Sequence, residues 1–191
     1  MLKDNLEPKP ESDFLTILLT IVNEQLQLDN YILKNINKPI SFYLEKKILA
    51  FQVEVAELAN ETRSFKYWSQ KPSSEFNIIL DETADCLHFL ISIGLSLNFN
   101  FSTFKNEAEH NQSEVTISFL NLFLASSLLF NEIKNQENNL PKKSDKINIL
   151  FTTLFQDFLK LIFALKIDWA VLFQSYKDKN KINYQRQQNN Y

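Results

Sequence analysis

Glycine and cysteine each occur once in this chain of 191 residues, as Gly94 and Cys86. With one glycine, five prolines and no Asn-Gly or Asp-Gly pair, the sequence lacks the punctuation of β-hairpins and glycine-rich phosphate loops. That scarcity argues against Walker-type and dinucleotide-fold nucleotide binding. A lone cysteine cannot form an internal disulfide. Behind Met1 stands mixed charge, MLKDNLEPKPESD, rather than a basic and then apolar leader, and both points predict a cytoplasmic protein. A net charge of −3 offers no large basic surface, so stable nucleic-acid binding is not expected. Long uninterrupted apolar runs are also scarce. The stretch from Val115 to Phe130 is uncharged, but it is shorter than the roughly 20 residues that cross a bilayer. The stretch from Ile149 to Phe173 carries Asp157, Lys160, Lys166 and Asp168, each costing about 2.5–3.5 kcal/mol near a bilayer centre. Both read as core helices, and no membrane association is expected.

Hydrophobic bulk is plentiful: 45% of the residues are apolar and 17 are Phe, enough for one good core. A single all-α domain over residues 1–191, built as a helical bundle, is the predicted architecture, with residues 1–11 as a flexible lead and 176–191 as a polar tail. Helix one starts after Ser12 as N-cap and carries Phe14, Leu15, Leu18, Ile21, Val22, Leu26 and Ile32 at helical spacing. Helix two runs from Ser41 to about Trp68. Helix three, capped by Ser73 or Ser74, reaches about Leu97, so the two form a hairpin across SQKPSS. A short helix is predicted over 102–110 and longer ones over 113–135, 146–165 and 168–180, with NQENNLPKKSD as a surface loop. So much apolar helix in a small chain predicts burial against a second copy, in a homodimer.

On helix two, Glu54, Glu57 and Glu61 follow an i, i+3, i+7 spacing beside the apolar arc of Phe51, Val55 and Leu58. Alone, such a stripe reads as a solvated acidic face. Helix three changes that reading. At about 100° per residue, Glu82 and Asp85 share a face with Ile78, Phe89 and Ile93, which draws both carboxylates toward the interior. Unpaired buried carboxylates are costly. Four of them converging from two helices repel one another unless cations sit between them, and hard divalent ions such as Mg²⁺ prefer oxygen ligands. Glu54, Glu57, Glu82 and Asp85 are therefore predicted to hold metal.

The run EVAELANETRSFKYW, from Glu54 to Trp68, and the later ETADCLHF, from Glu82 to Phe89, resemble the dimeric dUTP diphosphatases of the all-α nucleotide pyrophosphatase superfamily, which includes MazG-type proteins. The ExxE and ExxD pairs are common to that superfamily, whereas the FKYW ending is more selective. The tail containing Tyr176, Lys179, Asn180, Asn183, Arg186, Gln187 and Tyr191 is similar to the family signature KNxxNxxRQ followed by an aromatic. EQLQLDN, with Gln25 and Asp29, looks like the family's first helix.

The resemblance implies an all-α homodimer that hydrolyses dUTP to dUMP and diphosphate with Mg²⁺, acts also on dUDP, and so limits uracil incorporation into DNA. It implies Glu54, Glu57, Glu82 and Asp85 as metal ligands, with a helix-two carboxylate, foremost Glu54, orienting or deprotonating the attacking water. For the substrate, it implies Gln25 on the uracil base with Asp29 nearby, Trp68 walling the base pocket, and His88 on phosphate or sugar. Lys179 and Arg186 suit the phosphates, Asn180 and Asn183 the donor and acceptor pattern of uracil, and Tyr191 completes the substrate-binding tail. Two alternatives stay open: a superfamily pyrophosphatase for dCTP or non-standard nucleotides, and a non-catalytic relative that binds nucleotides or proteins.

Overall fold

Helices make up all the regular structure among the described residues of the computed structural model, which are 10–34, 40–106, 114–137 and 145–189. The element α1 spans Pro10–Leu33, α2 Leu44–Thr62, α3 Phe76–Ser96, α4 Val115–Glu137, α5 Asp145–Ala164 and α6 Trp169–Gln188. Short 3₁₀ turns stand at Ile40–Tyr43 and Phe101–Thr103. The all-α bundle expected from the sequence is what forms.

At its centre lies α3, packed against α1, α2, α5 and α6, while α4 packs against α2 and α5. Its composition explains the position. Ala84, Cys86, Leu87, Leu90, Ile91 and Ile93 are all buried, and a helix that is apolar round most of its circumference belongs in the interior. Burial is graded along the face shared by Glu82 and Asp85: Ile78 is exposed, Phe89 half-buried and Ile93 fully buried. The two carboxylates thus enter the bundle at its rim.

Several boundaries differ from expectation, each for a local reason. The helix α2 stops at Thr62, well short of Trp68, because Arg63 adopts a left-handed conformation (φ 57°) and donates its N–H to the Ala59 carbonyl at 3.1 Å. The FKYW run consequently forms a turn rather than a helix end. Neither Ser73 nor Ser74 caps α3. Glu75 occupies that position without a side-chain bond, while the Ser74 N–H reaches the Glu61 carbonyl at 2.9 Å and its hydroxyl donates to the Glu61 carboxylate. Ser12 lies inside α1, whose first turn already includes Pro10, where a missing N–H costs little. Pro10 and Glu11 are therefore helical rather than part of a flexible lead, the rest of which falls outside the described residues. In place of a helix over 102–110 there is the 3₁₀ turn, with Asn100 accepting from the Ser102 N–H at 3.2 Å; residues 107–110 lie outside the described part. Most of the expected surface loop, residues 138–144, also lies outside it.

The largest departure concerns the polar tail, which is helical to Gln188. Asp168 caps α6 by accepting from the N–H groups of Ala170 at 2.8 Å and Val171 at 3.2 Å. Leu172, Tyr176, Lys179 and Asn180 then face inward at i, i+4, i+7 and i+8. Because half of that inward face is polar, hydropathy alone conceals it. On α4, the expectation of a buried helix holds for one side only. Phe119, Leu122, Ala125, Leu129 and Ile133 are buried, whereas Ile117, Leu120, Leu124 and Leu128 are exposed. With its full length described, α4 is long and apolar enough to cross a membrane, as is α5, yet each buries a face within the bundle.

Between α3 and α5 lies an aromatic cluster, with Phe104 and Phe155 ring centres 4.6 Å apart and Phe99 and Phe151 4.7 Å apart. The single glycine faces it. A Cβ on Gly94 would stand 2.4 Å from Cζ of Phe101 and 2.6 Å from Cζ of Phe151, both buried rings with little room to move. Gly94→Ala is expected to lower the chemical denaturation midpoint, because overpacking of about 1–3 kcal/mol outweighs the roughly 1 kcal/mol gained in helix propensity.

Candidate functional site

The hairpin of α2 and α3 brings three carboxylates together: oxygens of Glu54, Glu82 and Asp85 lie within 4.8 Å of one another. All three are half-buried, whereas Glu57 is exposed on the next turn of α2 and lies outside this closest group. Its charge still reaches Glu54 and Glu82. Burial, joined by the charges of Asp85, Glu57 and Glu82, pushes the Glu54 carboxyl up to about 7 against the opposing pull of Lys179. Burial and the neighbouring carboxylates also raise Glu82. Asp85 is raised by burial, partly offset by Lys179. Three hard oxygen donors with unbalanced negative charge fit a divalent cation. Glu61 takes no part in this group, being held by Ser74.

The nearest cation is Lys179, whose Nζ lies 2.6 Å from Oδ2 of Asp81 and 2.7 Å from Oδ2 of Asp85. Burial opposes its charge, but the two aspartate bonds outweigh that and hold its pKa above the ordinary lysine value.

Beside the carboxylates is a cavity of about 500 Å³ whose lining includes Glu54, Asp85, Gln25, Asp29, His88, Asn183 and Arg186. Its polar wall is a hydrogen-bonded chain. Asp29 accepts from Lys47 Nζ at 3.0 Å, Ser92 Oγ at 2.5 Å and Gln25 Nε2 at 2.8 Å. Gln25 Oε1 faces the Tyr176 hydroxyl at 2.9 Å and His88 Nδ1 at 2.8 Å, and the His88 and Tyr176 rings stack at 4.1 Å. Burial pushes the Lys47 pKa down, against the pull of Asp29, and holds the His88 imidazole down at about 3. A larger cavity of about 820 Å³, lined by residues such as Asn98, Thr103, Asn148 and Gln156, contains none of the predicted site residues. The smaller cavity, which borders the carboxylates, is therefore the candidate site.

The predicted residues are thus brought together unevenly. Gln25, Asp29, His88, Asn183, Arg186, Glu54 and Asp85 share one cavity, and Glu82 and Lys179 join its acidic group. Asn180 is buried instead, its Oδ1 without a partner, and does not line the cavity. Trp68 is exposed in the α2–α3 connection, edge-on to Tyr67 at 5.1 Å, and is also absent from the lining. Tyr191 lies outside the described residues. Sequence reasoning missed Lys47, Ser92 and Asp81, and gave Tyr176 no role. A signal was present. Lys47 stands seven residues before Glu54 and Ser92 seven after Asp85, so each shares the acidic face of its own helix.

A family model described as dUTPase matches residues 17–191. No curated protein matches the chain.

The raised carboxylates make stability depend on pH and metal. Glu54 titrates near 4.5 when unfolded and near 7 when folded, so the folded state retains a proton that the unfolded chain has already lost between those values. Its contribution to stability is full below the lower value and is lost as pH rises through the upper one. As pH rises from about 5 to about 8, metal-free Glu54→Gln is expected to gain in melting temperature relative to the unsubstituted protein, a comparison in which the opposite pH dependence of the buried His88 cancels. A divalent cation should restore more stability at the higher pH, as a thermal melt would read.

Proposed function

The chain belongs to the dimeric all-α dUTPase family and is a dUTP diphosphatase, and from that premise we propose that Mg²⁺ held by Glu54, Glu57, Glu82 and Asp85 supports hydrolysis to dUMP and diphosphate. The observation that carries this reading is the approach of three half-buried carboxylates to within 4.8 Å beside a nucleotide-sized cavity. Bound Mg²⁺ would neutralise charge on the phosphates. Glu54, which stands in the acidic group and also lines the cavity, is suited to orient the attacking water and accept its proton. Glu57 supports that role through its charge. Lys179 rests on Asp81 and Asp85, and incoming phosphate competes with those aspartates for its ammonium group. Arg186 supplies a second cation to the phosphates, by its fork geometry. Gln25, Asp29, His88 and Asn183 form the nucleoside-facing part of the pocket, and the same site acts on dUDP.

The functional unit is a homodimer. Support comes from the exposed stripe of Ile117, Leu120, Leu124 and Leu128 on α4, spaced i, i+3, i+7 and i+11, which has no cover within the described part of one chain. We assign the protein to the cytoplasm, consistent with its buried, unbonded Cys86, and without a stable nucleic-acid or membrane partner.

Diphosphate release is expected from dUTP and not from dCTP, dTTP or UTP, to depend on Mg²⁺, and to be abolished by chelator and by Glu82→Gln. Glu54→Gln should lower kcat by about 100-fold or more with little change in KM. Turnover confined to dCTP would reassign the substrate. For assembly, Leu124→Glu is expected to convert a dimer to a monomer in size-exclusion chromatography with light scattering.

A further inference from the structure

Lys47, on α2, has no role in the reaction as described so far, yet its ammonium group lies at the head of a directional chain of hydrogen bonds. It bonds to Asp29 Oδ2 at 3.0 Å and Ser96 Oγ at 3.0 Å, with its side chain largely buried. Asp29 accepts from the Lys47 ammonium group and the Ser92 hydroxyl, and a carboxylate held by such donors offers Gln25 only lone pairs. The side of the Gln25 amide that faces it must therefore be the NH₂ group, which turns Oε1 toward Tyr176 and His88. An amide oxygen carries no proton. The Tyr176 hydroxyl and His88 Nδ1 must both donate to it.

Burial keeps the His88 ring neutral, although the Tyr176 backbone favours the protonated form without making a hydrogen bond to Nε2. A neutral imidazole has one N–H. With that proton on Nδ1, Nε2 is a lone-pair acceptor. It is fully buried, without a partner, on a residue only 5% exposed that lines the cavity. A buried acceptor left unpaired is unfavourable, and a ligand donor relieves it.

We propose that Lys47 is a positioning residue for nucleotide recognition, holding His88 through Asp29 and Gln25 as the Nδ1-protonated tautomer, whose Nε2 accepts a hydrogen bond from an N–H or O–H of the bound nucleotide. The second half of this inference rests on the dUTPase reading; the first does not. A phosphate oxygen has no proton to offer, so His88 reads the nucleoside rather than the phosphates. The nucleoside part of dUTP presents two such donors, the uracil N3–H and the deoxyribose 3′-OH. Gln25 Oε1 is already saturated by two donors, whereas Nε2 retains one free N–H beside this acceptor. One donor and one acceptor match the O4 and N3–H edge of uracil and oppose the reversed pattern of cytosine.

The tautomer can be read without turnover. In long-range proton–nitrogen spectra of the ¹⁵N-labelled full chain carrying His110→Gln, which leaves one imidazole, His88 is expected to be protonated at Nδ1 and bare at Nε2. Lys47→Met should shift the ring toward the Nε2-protonated form, and Lys47→Arg should restore it. Asp29→Asn, which frees the Gln25 amide to turn, should act as Lys47→Met does and serves if that variant fails to fold. An Nε2-protonated ring in the parent, or a tautomer indifferent to both Lys47→Met and Asp29→Asn, overturns the proposal.

For the ligand half, the unsubstituted enzyme is assayed with the triphosphates of N3-methyl-deoxyuridine and 2′,3′-dideoxyuridine. A rise in KM of about 100-fold or more for one of them identifies the donor, and Lys47→Met should raise the KM for dUTP about 10-fold with kcat nearly constant. Unimpaired turnover of both analogues refutes the ligand half. Absence of dUTP turnover altogether refutes the dUTPase reading, while the spectra still decide the role of Lys47.

Discussion

Repulsion among Glu54, Glu82 and Asp85 is the constraint around which the rest of the molecule is arranged. Three acidic oxygens within 4.8 Å are unfavourable in half-buried surroundings, and the protein tolerates them in two ways. One is a readier uptake of protons, because burial above all pushes Glu54 up to about 7 and raises Glu82 and Asp85. The other is Lys179, brought against Asp85 by α6. Both are partial solutions that a divalent cation would replace more completely, because it would supply more charge and tolerates several oxygen ligands at once.

The same central helix carries a second polar feature that continues inward from the first. Asp85, His88, Ser92 and Ser96 follow i, i+3, i+7 and i+11 along α3, forming a polar line inside an otherwise apolar element. Buried polar groups must find partners, and these find them on α1, α2 and α6. His88 meets Gln25, and Tyr176 adds its hydroxyl to the same amide. Ser92 meets Asp29, and Lys47 reaches both Asp29 and Ser96. Four helices are therefore fastened to one another by groups in the cavity wall and by Tyr176 and Ser96 behind it. Their geometry is specified by hydrogen-bond polarity as well as by packing, since each acceptor dictates which side of its neighbour must donate.

Apolar packing sets the positions of those helices more coarsely. The phenylalanine cluster around Gly94 holds α5 close to α3, and the absence of one side chain is what permits the approach. On the other side, the outer face of α4 stays apolar and exposed. The α2–α3 connection is drawn in by Glu61 and Arg63, the latter donating to the Lys71 carbonyl at 3.3 Å. Glu61 therefore serves the connection rather than the cluster, although its spacing from Glu54 and Glu57 placed it on the same stripe.

By itself the sequence determined the helical class, the pairing of α2 with α3 and three members of the acidic cluster, Glu54, Glu82 and Asp85, because each follows from the 3.6-residue period and from charge, which are local properties; that Glu57 stays outside the closest group did not follow from them. The dUTPase resemblance rested on short motifs of the same kind. Tertiary structure alone decided which of the motif residues reach the cavity. Trp68 stays outside because Arg63 ends the helix before it, and Asn180 is turned into the core instead. It also decided that a tail of low hydropathy is a packed helix, and that Lys47, an ordinary-looking lysine, orients a buried network. These outcomes depend on hydrogen-bond partners far apart in sequence, such as Gln25 with His88 and Tyr176, and no local period encodes which donor will meet which acceptor once the chain has closed.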